Sequence, residues 1–152
     1  VFARAARRPV EVPQELADRV EALLVRRCCE ALGLARRAGS AVAGFERVSD
    51  AVRRGDAALL LLALDGAEAG RKKLAGLARN IVSATVLSGD ELSLAFARER
   101  VVFAAVGPGP LSSRLLIDLR RLSGFRPAAV MDELELASVG PERRDGGTRE
   151  HE

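Results

Sequence analysis

The residues able to do chemistry here are few, and their spacing narrows them further. The one histidine of the 152-residue chain, His151, is the penultimate residue. That leaves His-dependent triads, imidazole bases and His metal sites without a supplier. Cys28 and Cys29 are adjacent. On a helix their side chains diverge by about 100°, a poor start for a bridge or a metal cage, so reduced, buried or half-buried thiols are expected. The carboxylates Glu46, Asp50, Asp65, Asp90 and Glu91 show no D-x-D or E-x-x-H spacing that would join them into a metal site or an acid/base pair. Asp65 closes an apolar run, where ligands gather at strand ends in open α/β sheets, although Asp65-Gly66 is also an ordinary turn. No phosphate-binding glycine motif is present, and Gly107-Pro108-Gly109-Pro110 lacks two N–H donors, which favours a rigid turn. Ser112 and Ser113 have no base nearby and read as helix caps. No catalytic residue, cofactor or metal is expected, and the chain reads as a non-enzyme.

The remaining chemistry is cationic. Basic clusters occur at Arg36-Arg37, Arg53-Arg54, Arg71-Lys72-Lys73 and Arg98 with Arg100, near the expected ends of helices. Guanidinium forks at such places can bind phosphate bidentately. Residues 1–126 carry 21 Lys and Arg against 14 Asp and Glu, a net +7, while residues 127–152 carry 3 against 7, a net −4, which together make the +3 of the chain. A basic body with an acidic end is the asymmetry expected of a domain that meets a polyanion. The plain alternative is compositional: 22 of the 24 basic residues are Arg, and many would simply decorate solvated helix faces. With 5 Phe and neither Trp nor Tyr, aromatic platforms for base stacking are poorly supplied.

The elements that must position these residues follow from periodicity. Pro13 suits the first turn of a helix whose apolar residues recur at Leu16, Val20, Leu23, Leu24, Cys28, Ala31, Leu32 and Ala35, and Gly39 ends it. Ala41–Ala43 reads as a short strand, and Gly44 opens a helix that closes at Arg54-Gly55. Leu59–Leu64 is a continuous apolar run, as in a strand buried on both faces. Then follow a helix from Glu68 to about Arg79, a strand Ile81–Leu87, a helix from Asp90 to Arg98 behind a Ser88 cap, a strand Val101–Val106 and a helix Leu111–Leu122. This alternation predicts an α/β protein, a three-layer α/β/α sandwich with a small four-stranded mixed sheet. From Pro127 the periodicity fades, so 127–152 is expected to be an acidic, disordered tail. The longest apolar run, Ala57–Leu64, is far short of a membrane span, and no secretory leader is visible, so the chain reads as cytoplasmic.

The order Leu32-Gly33-Leu34-Ala35-Arg36-Arg37-Ala38-Gly39, Val42-Ala43-Gly44, Arg54-Gly55, the strand ending in Asp65, then Asp90-Glu91-Leu92 and Val101–Val106 resembles a known family. It is similar to the bacterial YlxQ-like branch of the kink-turn-binding ribosomal protein superfamily, of the L-seven-Ae/L-thirty-e type. Residues 1–24, with Phe2-Ala3-Arg4-Ala5 and Pro9-Val10-Glu11-Val12-Pro13, look like the end of a YlxR-like domain, as in a fragment of a longer protein. The resulting division is 1–29 (end of the YlxR-like segment and leading helix), 30–126 (L-thirty-e-like domain) and 127–152 (tail).

The resemblance implies binding of structured RNA, kink-turn-like or ribosomal, with links to translation or transcription termination and partners in that machinery. It places the contacts in the turn and helix at Gly44, Phe45, Glu46 and Arg47 and in the loop at Arg98, Arg100 and Val101, with Arg36, Arg37 and Asp65 completing the set. Glu46 stands where RNA-binding members carry Asn and bacterial relatives often carry Glu. Arg47 replaces a Glu, Asp50 takes a lysine position, and Ser93 and Ala97 replace common glycines. These replacements motivate an alternative, a protein-interaction module on the same fold that has lost kink-turn recognition. A third idea, the accessory domain of an RNA methyltransferase, finds no room for a knotted cofactor-binding domain in this length.

Overall fold

The computed structural model describes residues 13–66, 68–77 and 80–133. The YlxR-like stretch before Pro13, the end of the expected helix near Arg79, most of the expected tail and His151 lie outside them. In chain order the elements are α1 (Gln14–Arg37), β1 (Ala41–Ala43), α2 (Phe45–Arg54), β2 (Leu59–Leu62), α3 (Glu68–Leu77), β3 (Val82–Thr85), α4 (Gly89–Phe96), β4 (Phe103–Val106), α5 (Pro110–Ser123) and β5 (Val130–Asp132). Every expected helix and strand is present, the strands β2, β3 and β4 each trimmed at one end or both.

The sheet order is β1-β4-β2-β3-β5. β4 runs antiparallel to both β1 and β2, β2 and β3 are parallel, and β5 is antiparallel to β3. Alternation along each strand feeds two cores. Ala41, Ala43, Leu59, Leu61, Ala104 and Val106 face the larger one, with Leu32 of α1, Leu92 of α4 and Leu119 of α5. Leu60, Leu62 and Ala105 face the smaller one, with Val48 of α2 and Leu74 of α3. β2 is buried on both faces, as its unbroken leucines require. Each leucine fully withdrawn from water contributes about 2 kcal/mol, so β2 and the α1, α4 and α5 leucines anchor the layers.

The sheet has five strands rather than the expected four. β5 lies in what the sequence reads as tail, because its two apolar residues, Val130 and Met131, are too short a run to show a period, and only Met131 packs against the core. Pairing with β3 and a bidentate Arg120–Glu133 bridge, as short as 2.6 Å, hold it instead. The 29/30 boundary falls inside α1, whose buried Leu24 and Cys28 precede it and whose Leu32 follows it in the same core. Ser112 and Ser113 also differ from expectation. Their hydroxyls donate back to the Gly109 carbonyl, at 3.0 and 3.3 Å, instead of accepting from the first-turn N–H groups.

One polar cluster ties three elements together. The Arg126 guanidinium donates to both Glu91 oxygens at 2.7 and 2.8 Å, to Glu21 at 2.9 Å and to the Val86 carbonyl at 3.0 Å. Hydrogen bonds to Glu91 hold Arg126 above its ordinary pKa, outweighing its burial. For Glu91, burial alone raises the carboxyl, but hydrogen bonds from Arg126 and Ser88 more than offset it and keep the group below its usual range. Glu91 also completes a capping box with Ser88, so the cluster fixes the start of α4.

Candidate nucleic-acid interface

α2 begins at Gly44, with φ +104° and ψ 142°, a conformation that L side chains rarely adopt. β1 leads into this turn, and the Gly44 N–H donates to the Phe103 carbonyl at 2.9 Å, so the turn is pinned to the start of β4. No side chain caps α2. The N–H groups of its first turn therefore keep the positive end of the helix dipole available to an anion. Glu46 and Arg47 are exposed in that turn, and Phe45 is half-buried.

The second component is the loop between α4 and β4. Arg98 Nη1 donates to the Ala43 carbonyl at 3.3 Å, and a Cβ built on Gly44 would lie 4.0 Å from both terminal guanidinium nitrogens. The two loops expected to act together are therefore in contact, although Arg98 and Ala43 are 55 residues apart in sequence. The loop backbone is strained: Ala97 has φ +53° and Arg100 φ +56°. For residues other than glycine this costs about 1–2 kcal/mol each. Ala97, at a position where the resemblance gives glycine, is itself left-handed. Ser93, at the other such position, accepts the Val101 N–H at 3.0 Å and closes the loop.

Not every expected contact residue faces out. Val101 is only 2% exposed and belongs to the larger core, so it anchors the loop from beneath and its side chain does not reach a ligand. Asp65 accepts the Gly89 N–H at 2.9 Å, tying the end of β2 to the start of α4. It also lines a cavity of about 240 Å³ with Arg100, Ser93 and Asp90 beside the same loop. Arg36 and Arg37 close α1 and line a separate groove of about 670 Å³ between α1 and α4, with Arg26, Leu34 and Leu94. Gly44, Phe45 and Arg98 do not line it.

Electrostatics separate the cations further. Among the described residues, Arg53 bridges Asp50 at 3.2 Å and Arg54 bridges Asp56 at 3.1 Å. Those exposed pairs contribute little stability, but they offset the Asp50 charge on α2 and remove two arginines from the supply of unpaired cations. Arg47, Arg98, Arg100 and Lys73 form no ion pair among the described residues. The described residues also bring together no three His, Cys, Asp or Glu side chains as a metal site, and none of their helices is long and apolar enough to cross a membrane.

Lys73, offered by the sequence only as one member of a basic cluster, is placed by the fold at this turn. Its Nζ lies 5.0 Å from the centroid of the Phe45 ring, which stands edge-on to Phe103 with centroids 5.5 Å apart. Gly70 permits this approach: a Cβ there would come within 2.7 Å of Phe103 Cζ. The run Arg71-Lys72-Lys73 was visible as a basic cluster, but only the spacing of Gly70 three residues before Lys73 hinted at which face meets the sheet.

No protein-family model matches the chain, and no curated protein matches it. Among solved structures it is similar to a protein of unknown function from Bacillus halodurans, with 27% identity and a TM-score of 0.57 over 61% of this chain and 96% of the other. It is also similar to the Giardia lamblia 15.5kD RNA binding protein, with 16% identity and a TM-score of 0.53 over 67% of this chain and 89% of the other. The likeness shows the fold: the L-thirty-e-like arrangement expected from the resemblance is the one present, with a fifth strand added to the mixed sheet.

Proposed function

We propose that this protein is a non-catalytic, cytoplasmic RNA-binding domain that recognises structured RNA, of kink-turn or ribosomal type, and that it belongs with the YlxQ-like sequences, following a YlxR-like segment. Its partners would then be RNA and components of the translation or transcription machinery. The observation that carries the reading is the junction of the uncapped Gly44 turn with the Arg98 loop, where Arg98 donates to the Ala43 carbonyl at 3.3 Å. Donors of two kinds, backbone N–H and unpaired guanidinium, meet on one rim, which is what phosphate contact needs. The RNA-binding Giardia protein of similar fold supports the same reading.

The test is a titration of a kink-turn hairpin RNA at several salt concentrations. If about four cations neutralise phosphates, the log-log slope of affinity against salt is about −3 to −4. Arg98→Ala with Arg100→Ala removes two of them and lowers the magnitude of that slope by about 1.4–1.8. A flat salt dependence for the unmodified protein, or a double variant that binds as tightly as the parent, overturns the assignment.

The groove between α1 and α4 favours a second reading, the protein-interaction module. Leu94 is 75% and Leu34 48% exposed there, beside Arg26, Arg36 and Arg37. Cross-linking in cells separates the two: recovery of proteins with no RNA above background selects the interaction module.

A further inference from the structure

The Gly44–Phe45 turn has a cation on each of two neighbouring elements. Arg98 reaches it from the α4–β4 loop. Lys73 reaches it from α3, with its ammonium 5.0 Å from the centroid of the Phe45 ring. Phe45 is itself fixed, edge-on to Phe103 of β4 and part of the smaller core. Phe103 in turn packs against α3 at Gly70, where the absent side chain leaves room for the ring. Lysine is ordinarily a flexible point charge with four rotatable carbons, and holding it costs side-chain entropy. Here the ring face localises the ammonium by cation–π attraction, close to the first turn of α2. Lys73 has no carboxylate partner among the described residues, so its charge is not cancelled.

We propose that Lys73 is a phosphate-contacting residue of the RNA interface and that Phe45 is its positioning residue, so that Lys73 and Arg98 approach the RNA backbone from two different elements around one turn. This rests on the RNA-binding reading above. It extends the interface onto α3, where the sequence offers the basic cluster Arg71-Lys72-Lys73 but the resemblance assigns no contact. Phe45 accordingly acts as a support for a cation. One face of its ring is covered by Lys73, so it does not offer that face to a base.

The experiment uses the whole chain and two synthetic RNAs, a kink-turn hairpin and a plain duplex of equal length, titrated between 0.05 and 0.3 M salt (about the range over which phosphate contacts are read). Lys73→Met is expected to lower the magnitude of the salt slope by about 0.7–0.9, and so to weaken binding by about 5- to 8-fold at 0.1 M salt. Lys73→Arg keeps the slope. Phe45→Leu also keeps the slope, because the charge remains, but weakens binding by about 2- to 5-fold through loss of the localised ammonium. Phe45→Trp restores it. Circular dichroism of each variant confirms the fold, and Lys73, being exposed, tolerates exchange. A Lys73→Met protein with the parental slope and affinity, while Arg98→Ala with Arg100→Ala is impaired, overturns the inference and leaves the RNA reading standing. A parent protein that binds neither RNA removes both.

Discussion

Replacing Arg126 by Met removes the guanidinium that joins Glu21 of α1, Glu91 of α4 and the Val86 carbonyl after β3. The side chain itself is only 15% exposed, and its partners Glu91 and Glu21 are 23% and 31% exposed. Breaking a fully buried charge pair from one side costs about 3–5 kcal/mol, because the orphaned charge stays behind. Here the carboxylates keep a quarter to a third of their contact with water, which reduces the cost to about 2–3 kcal/mol. That is a large part of the 5–15 kcal/mol typical of a domain. Urea unfolding followed by far-ultraviolet circular dichroism at pH 7 reads it directly as a lower midpoint at unchanged slope. Acid supplies a second arm. Glu91 is held below its model-peptide value of 4.5, so its contribution is fully present above pH 4.5 and is lost as pH falls through the lower folded value. In Arg126→Met the Arg126 hydrogen bonds and charge that lower it are gone, while burial, which raises it, and the Ser88 hydrogen bonds remain. The gap between parent and variant therefore narrows between pH 5 and pH 3 (roughly the span of carboxylate titration). A gap under about 0.5 kcal/mol at pH 7, no larger than an ordinary surface change, would show that the cluster is not the anchor of α4. A gap that stays constant into acid would show that Glu91 is not its titrating member.

Three further outcomes follow from the same geometry. Gly44→Ala forces an L side chain to φ +104° with only an ordinary contact at 4.0 Å to the Arg98 guanidinium, so backbone strain should lower stability by about 1–3 kcal/mol, and an unchanged urea midpoint would refute the turn as described. Gly70→Ala drives a Cβ to 2.7 Å from Phe103 Cζ and should cost about 1–3 kcal/mol while moving the Phe45 ring, detectable as altered aromatic resonances. The Cys28 thiol is fully buried, and burial, helped by Asp118, pushes its pKa up to about 12; peptide mapping after alkylation at pH 8 should find it unmodified until urea unfolds the protein, and rapid labelling in the native state would contradict its place in the core.

The sequence by itself determined which segments become helices and strands wherever burial leaves a periodic trace. The stripe Leu24, Cys28, Ala31, Leu32 and Ala35 forms the buried face of α1, and the unbroken leucines of β2 occupy a strand covered on both faces. It determined the Gly44 turn as well, since only glycine takes φ +104° without strain. It did not reveal β5, whose Val130-Met131 pair is too short to show a period and whose strand exists through pairing with β3. Nor did it reveal that Val101 faces the core, that Arg126 joins α1 to α4, or that Lys73 sits over Phe45. Those depend on which elements become neighbours. Local propensity and periodicity act over a few residues, whereas the antiparallel pairing of β1 with β4 brings Ala43 beside the strand that follows the Arg98 loop. Whether scattered arginines become one rim is settled by such long-range pairing, because a charge gains a partner only from what the packed layers set next to it.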